Sequence, residues 1–125
     1  MGNVLELQKE ALGELVNYSE NIIRGTETVI KELRGDRKED TDELFNLVIQ
    51  GINWEIEVFN NCESLINKDA QQIDKGKMAD AVARLGKVLQ EKDDIKLAAC
   101  LEVDFLPLLK TMEFAAMSSG ESAPG

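Results

Sequence analysis

The sequence predicts an all-α fold, an antiparallel four-helix bundle, on three observations. Apolar residues recur at alternating intervals of three and four over long stretches, the seam of a helix that packs on other helices. Aromatic residues are only 5% of the chain, with one Trp and one Tyr, so the core must be Leu, Ile, Val, Ala and Met, which favours helix packing over a sheet sandwich. Four such stretches are separated by short polar connections, the usual layout of antiparallel neighbours. With 125 residues, 43% of them hydrophobic, the chain has enough for one core and one domain, read as 1–117 with a flexible tail over 118–125.

The first helix is marked by Leu5, Gln8, Leu12, Leu15, Ser19, Ile22, Thr26, Val29 and Leu33, with Asn3 and Glu6 placed as an N-terminal cap and Gly35 as the stop. Gly13 and Gly25 weaken it, and a bend is expected near Gly25. Gln8, Ser19 and Thr26 interrupt the seam, as polar residues do where they specify register or partner number. Residues 34–43 have no apolar member and read as a solvated connection. The Arg-Gly-Asp tripeptide inside it is a coincidence in a chain whose start lacks the basic and apolar regions of a secretion signal.

Asp40 and Glu43 are spaced to cap a second helix whose apolar stripe is wide, from Leu44 to Ile66. Asn67-Lys68-Asp69 marks a turn, and Ala70, Ile73, Ala81, Val82, Leu85, Val88 and Leu89 share one face of a third helix. Gly76 makes a turn near Asp74-Lys75-Gly76 an alternative start. Asp93 or Asp94 caps a fourth helix from Ile95 that is apolar over most of its circumference, so it needs other helices or a partner chain around it. Pro107 falls inside that helix, removes a backbone donor and clashes with the preceding turn, which predicts a kink or a restart capped by Asp104.

Composition excludes several chemistries. The chain has 14 basic and 24 acidic side chains, a net charge of −10, which repels nucleic-acid phosphates and anionic membrane surfaces. It has no histidine, which removes the usual general base, the Ser-His and Cys-His nucleophile pairs and the commonest transition-metal ligand. Cys62 and Cys100 lie apart in apolar stretches, so a Cys-x-x-Cys redox or zinc site is impossible and a reduced, cytoplasmic setting is the simplest reading. No cofactor and no enzymatic activity are expected.

A few polar residues fall on apolar faces. Glu55 lies within about 20° of the direction of Leu44 and Cys62 on a helical wheel, aimed at the core. Glu102 falls between the directions of Ile95, Leu106 and Leu109. Lys77 and Arg84, one heptad apart at the margin of the third helix, are the candidate partners of these carboxylates in a buried polar cluster. Its functional alternative is a small-ligand or hard-cation site, for which carboxylates without histidine suit Mg²⁺ or Ca²⁺. Trp54, at the edge of its apolar arc, and Leu106, Leu109 and Phe114 on the all-round apolar fourth helix are the candidate interface.

The run Leu89-Gln90-Glu91-Lys92-Asp93-Asp94-Ile95-Lys96-Leu97-Ala98-Ala99-Cys100-Leu101-Glu102, followed by Phe105-Leu106-Pro107-Leu108-Leu109, resembles the last helix of small helical-bundle proteins of Firmicutes. Some of these are similar to flagellar or secretion chaperones. The resemblance implies a bacterial protein that binds another protein's helix, without catalytic residues; the all-round apolar fourth helix predicts a non-enzymatic bundle that binds a partner helix or self-associates.

Overall fold

A computed structural model describes residues 3–67 and 73–121. Its elements are α1 (Asn3–Leu33), α2 (Thr41–Ile66), α3 (Lys75–Glu91), α4 (Asp94–Cys100), a π-helical turn (Leu101–Phe105) and α5 (Leu106–Glu121). α4, the π turn and α5 follow one another without a break and make one rod, so the fold is an all-α four-helix bundle with no strand among the described residues. No helix among them is long and apolar enough to cross a membrane.

α1 packs along α2, α4 and α5; α2 also meets α5; α3 packs on α4 and the π turn. The interior is two stacked apolar clusters. One gathers Val29, Ile52, Ala98, Leu101, Phe105 and Leu109; the other gathers Leu12, Leu15, Phe59, Cys62, Met112 and Ala115. Burying each of the larger side chains contributes about 2 kcal/mol, and Phe59, Phe105, Leu12 and Leu109 are all fully covered.

The irregularity expected before Pro107 takes the form of a π turn. Pro107 has no N–H, and its ring would press on the Val103 carbonyl of a regular helix. The turn before it widens instead, and the Leu106 N–H donates to the Leu101 carbonyl, five residues back. No restart is capped by Asp104, whose carboxylate pairs with Arg84. The fourth rod is covered along one side by its own chain, where Leu101, Phe105 and Leu109 join residues of α1 and α2 in one cluster, whereas Ile95, Val103 and Phe114 on its other sides are exposed. α5 also continues through Ser118–Glu121, residues read from sequence as tail, because no proline interrupts the helix before Pro124; 122–125 lie outside the described residues.

Gly35 ends α1 with φ of +130°, a backbone that only glycine adopts without strain. Asp40 stands at the N-cap of α2, but its φ of −99° and ψ of 11° turn its side chain away from the first amides, and it caps nothing. The connection is fastened by Thr41 instead. Its hydroxyl accepts from the Lys38 N–H at 2.8 Å and donates to the buried Glu32 carboxylate at 2.7 Å. Gly25 does not interrupt α1; it lies against Val48 of α2, where an added Cβ would sit 3.1 Å from that side chain.

α3 begins at Lys75, capped by Asp74 Oδ1 accepting from the Gly76 and Lys77 amides, so the later of the two starts read from sequence is the one adopted. The turn placed at Asn67-Lys68-Asp69 and the face position given to Ala70 fall largely outside the described residues. Asp93 caps α4 through the Ile95 and Lys96 amides. Between these helices Lys92 holds a left-handed conformation with φ of 53°. A Lys92→Gly variant is expected to be more stable by about 1 kcal/mol, raising the thermal midpoint by a few degrees in a calorimetric scan.

Candidate functional site

Two neighbouring pairs of residues give one level of the bundle opposite characters inside and out. On α1, Ser19 points inward and Tyr18 outward; on α2, Glu55 points inward and Trp54 outward. Ser19 falls between Leu15 of one apolar cluster and Ile23 of the other, and Glu55 between Ile52 and Phe59, so a polar layer divides the core.

Glu55 is fully buried, as its wheel position requires, and neither carboxylate oxygen has a hydrogen-bond partner. Its pKa is pushed up to about 8, first by loss of hydration; the nearby Ser19 hydroxyl favours the ionised form, and the charge of Glu113 on α5 opposes it. Ser19 Oγ is itself buried outside hydrogen-bond geometry. A carboxyl in this setting holds its proton at neutral pH.

The predicted cationic partners are elsewhere. α3 packs on α4 and the π turn, which carries Lys77 and Arg84 away from Glu55. Arg84 forks onto Asp104 of the π turn with two bonds of 2.8 Å, holding the carboxyl below its usual range and its own guanidinium above. Lys77 is exposed along the same α3 groove, beside Asp80 and Arg84. Glu102 is exposed and held by Arg34 through bonds of 2.8 and 2.9 Å, which lower its pKa. It shares its helix direction with Ile95, and Ile95 faces solvent, so that direction was never the core. The four residues form no cluster, and a shared ligand or cation site at Glu55 and Glu102 has no geometric basis.

Of the interface candidates, Leu109 is fully buried core and Leu106 is half-buried against it. Phe114 is 67% exposed. Trp54 is half-buried and edge-on to Tyr18, with ring centroids 5.9 Å apart and an interplanar angle of 87°. This aromatic pair stands in an open groove of about 570 Å³ between α1 and α2, on the side that α3 and the fourth rod leave uncovered. Ile22, Leu44, Leu47 and Val48 supply most of its apolar wall, and Leu47 and Tyr18 remain 58% and 57% exposed.

Gly51 and Gly25 line the groove where the helices approach closely. A Cβ at Gly51 would meet the Ile22 side chain, with Cγ1 at 3.0 Å, so a side chain there requires Ile22 to shift by a few tenths of an ångström. Sequence reasoning found Trp54 but missed Tyr18, Leu47 and the two glycines. The signal was present: Tyr18 and Gly25 are one heptad apart, as are Leu47 and Trp54, on a second face of each helix.

The polar seam residues have local duties. Gln8 Nε2 donates to the Asn61 carbonyl of α2 at 2.9 Å, and Thr26 Oγ1 donates to the Ile22 carbonyl one turn earlier at 2.7 Å. Cys62 and Cys100 are buried free thiols. Burial raises both, and the neighbouring Asp104 helps push Cys100 to about 11, so neither is a thiolate at neutral pH.

Comparison with curated proteins and with solved structures returns no match. A family model does match, over residues 10–113, a span that contains the groove, the Ser19–Glu55 layer and the π turn. The chain therefore belongs to the family described as a domain of unknown function, DUF8042.

Proposed function

We propose that this protein is a non-enzymatic interaction bundle, chaperone- or adaptor-like, that docks a helix of another protein in the groove between α1 and α2. The observation that carries the reading is the Tyr18–Trp54 pair standing beside exposed Leu47 in an apolar cleft that no element among the described residues fills. Rigid aromatic rings at the edge of a desolvated patch contribute much of the energy of helix-in-groove recognition. The reason for a partner has thus moved from the fourth rod, where Leu109 is buried and Leu106 half-buried, to the α1–α2 face.

The polar layer supports the same reading indirectly. A buried, unpaired carboxyl adds nothing to binding, but a polar layer in a bundle core restricts the ways the helices can pack and so keeps the outer groove in one shape. The buried thiols support a reducing compartment such as the bacterial cytoplasm as the place of action.

A photo-crosslinking amino acid placed at Leu47 tests the reading in native cells. Adducts with a discrete protein, absent when the same group is placed at exposed Lys87 on α3, are the expected result. Equal labelling from both positions, or none from Leu47, would overturn it.

A further inference from the structure

We propose, resting on the helix-docking reading above, that the occupant of the α1–α2 groove is a basic amphipathic helix of about three turns, and not a second copy of this chain. The length follows from the lining. On α1 it runs from Glu14 to Gly25, and on α2 from Leu44 to Trp54. At 1.5 Å rise per residue each wall is about 15 Å long, which accommodates about three turns and apolar anchors spaced i, i+3 or i+4, and i+7.

The charge follows from the rim. Among the described residues, Glu14 is the lining residue that carries a full charge, and no Lys or Arg lines the groove. The arginine nearest in sequence along α1, Arg24, is already paired with Glu20. An incoming helix with Lys or Arg beside its apolar stripe meets attraction at the groove mouth, whereas an acidic one meets the rim and a net charge of −10.

The same charge disfavours self-association, since two copies bring −10 each to one contact.

Two designed helical peptides of about three turns, sharing one leucine face and differing only in Lys or Glu on the flanks, serve as probes. Trp54 is the single tryptophan of the chain and reports occupancy by its fluorescence. The Lys peptide is expected to shift Trp54 emission and to bind at least about ten-fold tighter than the Glu peptide, with the advantage shrinking as salt is added. Glu14→Lys should shrink the preference, and Leu47→Asn should weaken both peptides; both positions are exposed, so circular-dichroism melts should match the parent.

Equal binding of the two peptides, with Leu47→Asn still harmful, would sink the charge assignment and leave helix docking intact. If neither peptide moves Trp54, both fall together. An emission shift driven by protein concentration alone would assign the groove to a second copy and overturn the proposal.

Discussion

A Glu55→Gln variant is expected to be more stable than the parent by about 3 kcal/mol at pH 7, and equal to it near pH 4. Folded Glu55 keeps its proton up to about pH 8, whereas in the unfolded chain the same side chain ionises near its ordinary value of 4.5. Between those values the unfolded state releases a proton that the folded state retains, so each pH unit costs the fold about 1.4 kcal/mol.

Stability from this residue is therefore complete below about pH 4.5, is lost steadily as pH rises, and reaches its floor above pH 8. Gln has nearly the same shape and cannot ionise, so its curve lacks that slope. Urea unfolding of both proteins from pH 4 to 8.5 checks this. Parallel curves would mean that the Glu55 carboxylate finds water or a cation in solution.

Phe105→Ala is expected to cost about 3–5 kcal/mol, a large part of the stability of a domain this size. Phe105 is the last residue of the π turn, fully buried, and packs in the same cluster as Leu101 and Leu109. Truncation leaves a cavity where the rod has already given up regular helix geometry to accommodate Pro107, so the walls have little freedom to close. Chemical denaturation should show the midpoint falling with the slope unchanged. A loss below about 1 kcal/mol would show that the turn relaxes to regular helix and refills the space.

Much of the fold is legible in the residues because α1 and α2 wind regularly for 31 and 26 residues. A wheel drawn at a constant 100° then sorts Leu12, Leu15, Val29 and Glu55 inward as they are. The fourth rod defeats that wheel. Leu101, Phe105 and Leu109 are spaced by four and four, which a regular helix keeps within about 80°, and all three are buried. Ile95, Val103 and Phe114 on its other sides are exposed, so the rod is apolar in several directions and buried along one, and a wheel cannot tell which apolar direction is the core; buried Leu109 therefore looked like an interface.

The groove was harder to read for a different reason. Periodicity identifies faces, not neighbours. That α3 packs on the fourth rod instead of closing over α1 and α2 is decided by tertiary packing, and so are the partners of Lys77, Arg84 and Glu102. Wheel reasoning placed Glu55 correctly and assigned it the wrong company.

The two ends of the bundle are held differently. Around the α1–α2 connection, Arg34 grips Glu102, Arg37 spans Asp94 and Asp42, and Thr41 locks onto Glu32. At the far end Val4, Leu7 and Met117 are exposed, and no ion pair ties the first turns of α1 to the last of α5 among the described residues. Breathing motions should start at that unclasped end, with amide protons of the first two turns of α1 exchanging first and those near Leu33 last. The expected motion is that of a clothes-peg hinged at its loop.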